Sequence, residues 1–95
     1  MITHVVLFRL KDRSEASVKE ALAVLRKLDG RIPSLKGFEV GLDLVKSVRS
    51  YDIALIARFD DLKGLDEYQN HPAHLEVVKY ISAVRDESVA VDFEV

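Results

Sequence analysis

Residues 51–60 read YDIALIARFD. Tyr51, Ile53, Leu55, Ala57 and Phe59 fall on one side of a two-residue period. Asp52, Ala54, Ile56, Arg58 and Asp60 fall on the other. Alternation of this kind is the mark of a β-strand with one buried face, and this is the clearest strand in the chain. What lies on either side of it decides the fold. Upstream, FEVGLDLV (38–45) also alternates, with Phe38, Val40, Leu42 and Leu44 on one face, and the polar stretch KSVRS joins the two strands. Downstream, DLKGLDEYQN (61–70) reads as a short helix despite Gly64. PAHLEVVKYISAVRD (72–86) reads as a further helical segment with Leu75, Val78, Ile81 and Tyr80 facing inward.

The ends complete the order. ITHVVLFRL (2–10) is rich in β-branched and apolar residues and reads as a strand. In residues 12–30, Val18, Ala21, Leu22, Leu25 and Leu28 recur at helical spacing. Ser14 is an N-cap candidate, Ser17 and Glu20 offer a capping box one turn later, and Gly30 suits the closing position. IPSLKG (32–37) is a turn or loop. SVAVDFEV (88–95) reads as a last strand with Val89, Val91, Phe93 and Val95 on one face. The order β-α-β-β-α-β predicts an α+β, ferredoxin-like domain spanning residues 1–95, with helices on one side of an antiparallel four-stranded sheet.

The open face of such a sheet is polar in a monomer. Here Val5 and Leu7 oppose Ile2, Val6, Phe8 and Leu10 on the first strand, and Ala54 and Ile56 lie on the more polar side of the third. Apolar residues on both faces predict a cover for the second one. A second copy of the same sheet is the simplest cover, giving a homodimeric barrel.

The composition narrows the function. The chain has 95 residues, 48% of them hydrophobic and 32% charged, a soluble globular composition. Net charge is −2 with scattered Lys and Arg, so no basic stripe serves nucleic acid. There is no cysteine, which removes disulfides, thiolate nucleophiles and Cys-based metal sites. No apolar run reaches the ~18 residues of a membrane span. The first residues read as a strand rather than a secretory leader. The expectation is a cytoplasmic domain with neither nucleic-acid nor membrane partners. No nucleophile elbow, Walker loop or dinucleotide fingerprint is present, and no cofactor is implied.

Two of the three histidines lie in EYQNHPAH (67–74). His71 and His74 would share a face of one continuous helix, but Pro72 disfavours a helical His71 and suits the first position of a new helix. Two imidazoles fall short of the three or four ligands of a metal centre. Either NHPAH builds a capped junction, or Tyr68 and His74 form an acid–base pair: an imidazole titrates near neutrality, and a phenol polarises a carbonyl oxygen. His4, the one polar residue among Ile2, Val6 and Phe8, joins them as a third candidate if the sheet's inner face lines a pocket.

THVVLFRLKD, YDIALIARFDD and LDEYQNHPAHLEVV together resemble the stress-responsive A/B barrel domain family, Dabb, over nearly the whole chain. The resemblance implies a ferredoxin-like protomer and a dimeric α+β barrel. Family members range from bacterial proteins of unknown role to plant proteins linked to stress tolerance. One plant member closes a linear polyketide by intramolecular aldol condensation without a cofactor. Carried over, Tyr68 would hold the substrate carbonyl, His74 would act as the base and His4 would line the pocket. That member's pocket histidine on the third strand corresponds to Ile53 here, and its first-helix tyrosine to the aliphatic region around Ala23 and Val24, so the substrate differs. Three functions are consistent with these residues: binding of a small apolar or aromatic molecule between sheet and helices, a cofactor-free enzyme of cyclase or monooxygenase type, and a purely structural dimer.

Overall fold

The computed structural model describes all residues from Met1 to Val95. The elements run β1 (Ile2–Leu10), α1 (Glu15–Arg26), β2 (Gly37–Leu42), β3 (Ile53–Phe59), α2 (Leu62–Asn70), α3 (Pro72–Val84) and β4 (Arg85–Glu94). The sheet order is β2-β3-β1-β4 and every neighbouring pair is antiparallel. This is the ferredoxin-like arrangement expected from the sequence.

Register explains which residues make the core. Ile2, His4, Val6 and Phe8 stand opposite Phe59, Ala57, Leu55 and Ile53, and Phe38, Val40 and Leu42 of β2 extend the same rows. The helices cover this face. Val18, Ala21, Leu22 and Leu25 of α1, Leu65 and Tyr68 of α2, and Ala73, Val77 and Ile81 of α3 are buried against it. Gly64 belongs to this packing: a Cβ there would sit 3.4 Å from the Phe59 Cβ, so the glycine lets α2 lie close on β3. No helix is long and apolar enough to cross a membrane.

Helix ends follow local chemistry. The Ser14 hydroxyl accepts from Ser17 N at 3.3 Å and the Asp61 carboxylate accepts from Gly64 N at 2.8 Å, both as N-caps. Ser17 and Glu20 lie within α1 rather than capping it. Past Arg26 the chain tightens into successive three-residue turns that bury Leu28, and Gly30 ends them with φ +78°.

Other expectations change as well. The alternation of β3 stops at Ile53. Tyr51 leaves the inner face and lies under the Arg9 guanidinium, 5.2 Å from ring centroid to Cζ. Asp52 turns inward, where it accepts from Leu10 N at 2.9 Å and from Arg13 Nε at 3.0 Å. β2 ends at Leu42, so Leu44 is exposed. α3 buries Ala73, Val77 and Ile81 in a four-residue progression, leaving Leu75 outward and Val78 partly exposed at the edge of the inner side, because the helix starts at Pro72 and its phase is set there. β4 begins at Arg85, three residues earlier than the alternation suggested, with α3 running directly into it.

The apolar side of β4 lies on the sheet face away from the helices. Val89, Val91 and Phe93 pair with Leu7, Val5 and Thr3, and Val5 and Leu7 pair in turn with Ile56 and Ala54. Val91 remains 57% exposed and Phe93 46%. The open face therefore carries a continuous apolar band across three strands.

Candidate functional site

Tyr68, His71 and His74 are placed by one joint. His71 adopts φ −67° and ψ 138°, an extended conformation that closes α2 and opens α3. Its Nδ1 accepts from Ala73 N at 3.0 Å, and Pro72 occupies the first position of α3. His71 is thus a junction residue, as Pro72 implies. The joint turns His74 back over the last turn of α2. The Tyr68 and His74 ring centroids are 4.4 Å apart with planes inclined at 49°.

The first strand supplies the third candidate. The His4 ring meets Tyr68 edge-on at 6.2 Å, and Phe59 supports the tyrosine at 5.0 Å. The structure brings Tyr68, His74 and His4 together. It also adds a residue that sequence reasoning missed. Asp92 of β4 stands directly opposite His4, and its carboxylate accepts a hydrogen bond from His4 Nδ1. The visible signal was Asp92 on the polar side of an alternating strand, but the β1–β4 register joins residues 88 positions apart.

Hydrogen bonding sets the tautomers. Gln69 O, which can only accept, lies 3.1 Å from His74 Nδ1, so that nitrogen carries the proton. The Asp92 carboxylate does the same for His4. In each neutral ring Nε2 then keeps its lone pair. Burial pushes the His74 imidazole below its ordinary value, and the neighbouring His4 acts in the same direction against a bond to Gln69 that acts the other way. His74 is therefore an uncharged base at pH 7. Burial pushes the Tyr68 phenol well above its ordinary value, so it remains a hydrogen-bond donor. The Tyr68 side chain is 1% exposed and its hydroxyl has no protein partner. Among side-chain polar atoms only Ser34 Oγ is both sealed and unpartnered. The Tyr68 hydroxyl and the two Nε2 atoms therefore reach open space.

That space is a cavity of about 250 Å³ between sheet and helices. His4, Val6 and Phe8 of β1 and Leu55 of β3 floor it, Leu25 and Leu28 flank α1's side, and Val77, Val78 and Ile81 of α3 close it. Ser82, Arg85 and Ser88 contribute polar groups at the α3–β4 end. Ile53 and Ala23 do not line it. No three histidine or carboxylate side chains converge as a metal-ligand group.

Known proteins share this architecture. A dimeric ferredoxin-like protein of unknown function from Thermobifida fusca superposes with a TM-score of 0.87 at 35% identity, covering 99% of this chain and 90% of that one. A dimeric protein of unknown function from Bacteroides fragilis gives 0.83 at 26% identity, covering 99% and 95%. A stress-response A/B barrel domain-containing protein of Arabidopsis thaliana is 30% identical over 99 residues, 97% of this chain and 84% of that protein. The sequence pattern of the stress responsive A/B barrel domain matches residues 2–95, and the chain belongs to that family.

Proposed function

We propose that the protein is a homodimer whose protomers each bind a small, mainly apolar or aromatic molecule in the cavity between sheet and helices. The observation that carries this reading is the partly open, largely apolar-walled space lined by Tyr68, His4 and His74, whose hydroxyl and Nε2 atoms have no protein partners. These atoms reach open space without a protein partner, and a ligand bearing a carbonyl or hydroxyl would hydrogen-bond to them there. Size limits the ligand. A dry cavity of roughly 150 Å³ accommodates benzene, and drug-sized pockets begin near 300 Å³. The 250 Å³ here suits a single ring or a short chain. The dimer is supported by the apolar band on the open sheet face and by the dimeric relatives.

A second reading, cofactor-free acid–base catalysis, is favoured by the His4–Asp92 bond. A base oriented by a carboxylate, beside a neutral imidazole and a phenol donor, is an arrangement for removing a proton next to a carbonyl. Tyr68 would hold the carbonyl oxygen and stabilise the negative charge that develops on it, and His74 would take the proton, with the Nε2 lone pair of His4 as a second proton acceptor. Both readings are tested by soaking small ring ketones into the protein in D2O. Binding is read from the His4 and His74 imidazole signals in NMR, and catalysis from deuterium appearing next to the ketone. Unmoved signals across the panel exclude the first reading. Bound ketone that exchanges no faster than in buffer excludes the second.

A further inference from the structure

The polar groups of the cavity sit at two separated ends. His4, Tyr68 and His74 occupy one. Ser88 stands opposite Phe8 in the β1–β4 register, four positions along β1 from His4, which places it ~13 Å away at strand spacing. Arg85 and Ser82 lie at that second end, both exposed at the cavity edge. Between the ends the floor is Val6, Phe8 and Leu55.

Arg85 is a free cation. None of the chain's ion pairs includes it. Its sequence neighbours Asp86 and Glu87 are engaged by Arg9, at 3.3 and 2.5 Å. Arg85 is also the residue at which α3 becomes β4, so its backbone is held from both sides, its N–H bonding Ile81 O. A guanidinium presents two parallel donors that match a carboxylate, and the serine hydroxyls offer further donors. One cation balances one negative charge. It does not balance a phosphoryl dianion.

We infer that the ligand is a slender organic monocarboxylate, an aryl-substituted or short-chain acid whose carboxylate rests on Arg85 and whose far end reaches Tyr68 and the histidines. This rests on the ligand-binding reading above and names its chemical class. The acid group stays at the rim, where it keeps part of its hydration, and the apolar body lies along Val6, Phe8 and Leu55. Entry tail-first matches a cation at the edge of the cavity rather than beside His4.

Matched acid and amide pairs test this: phenylacetate with phenylacetamide, and hexanoate with hexanamide, titrated at pH 7 while the His4 and His74 imidazole signals are followed. Each acid is expected to bind about tenfold tighter than its amide, the usual scale for one charge-assisted contact. In Arg85→Gln that preference is expected to vanish, the acid binding no tighter than its amide. Equal affinity of acid and amide in the wild type overturns the carboxylate inference and leaves the cavity reading intact. An acid preference that survives Arg85→Gln overturns the role of Arg85. If neither member of any pair moves the histidine signals, the cavity reading itself fails and takes this inference with it. Arg85 is exposed, so the variant folds, and thermal melting verifies it.

Discussion

His4 Nδ1 donates to the Asp92 carboxylate across the β1–β4 pairing, and the same imidazole meets the edge of Tyr68 on its other side. One strand therefore orients a residue that serves a cavity formed by other elements. Asp92 itself is partly exposed, its side chain 40% accessible, so the pair connects the interior to solvent. Replacing Asp92 with Asn removes the ionised acceptor that selects the Nδ1–H tautomer. Imidazole nitrogen shifts in Asp92→Asn are expected to report a mixed tautomer at His4, and ketone exchange, where the wild type shows it, is expected to fall by ~10–100-fold. Unchanged His4 shifts would remove Asp92 from the site.

The Tyr68 hydroxyl and the Tyr68 ring do separate jobs. The ring fills space between Phe59, His4 and His74, while the hydroxyl bonds to nothing in the chain. Tyr68→Phe is expected to leave stability within ~0.5 kcal/mol of wild type and to weaken binding of carbonyl ligands. Tyr68→Ala is expected to cost ~3–5 kcal/mol, because it empties the volume of a fully buried aromatic. Urea denaturation of both variants separates the roles. A large loss in Tyr68→Phe would mean that the hydroxyl is structural.

Acid sensitivity follows from His74. Its folded value lies below the ordinary 6.5, so the unfolded chain binds a proton at a higher pH than the folded one does. The associated stability is complete above about pH 6.5 and is lost as the pH falls through the folded value. The urea midpoint is expected to drop between pH 7.5 and 5, and His74→Gln is expected to flatten that drop. Identical slopes in the two proteins would place the sensitivity elsewhere.

The band of Val5, Leu7, Ile56, Val89, Val91 and Phe93 on the open face gives an assembly test. A carboxylate within it would bury an unpaired charge at the contact between two copies. Val91→Glu is expected to scatter light as a monomer where the wild type scatters as a dimer. A wild-type monomer, or a dimer unaffected by the change, would show that this face is not the contact.

Much of this architecture was legible because it rests on short-range periodicity. Ile53 to Phe59 alternate, Val18 to Leu28 repeat at helical spacing, and Pro72 marks where one helix must yield to the next. The losses occur where position depends on distant partners. Leu44 continues the alternation of β2, yet the strand stops at Leu42 because its β3 partner begins at Ile53. The phase of α3 depends on where it starts, so Leu75 faces out where its spacing predicts burial, and Ala73 and Val77 are buried without a signal of their own. The His4–Asp92 bond needed a register between the two ends of the chain. Tyr68 and His74 were recognisable from their motif, but their convergence on one cavity was a property of the joint, and Arg85 carried no local signal at all.

That joint has a consequence for how the protein tolerates change. A single extended residue, His71, stands between the turn bearing Tyr68 and the turn bearing His74. Each residue of an α-helix advances its side chain by ~100°. Adding or removing one residue between Tyr68 and His74 would swing the imidazole a quarter-turn away from the phenol while leaving both helices able to form. Substitutions along the outer faces of α2 and α3 would leave the two rings where they are. The site therefore measures chain length over these few positions more strictly than it measures the identity of the outward-facing side chains, and a designer could rewrite the outer faces of both helices so long as the count is kept.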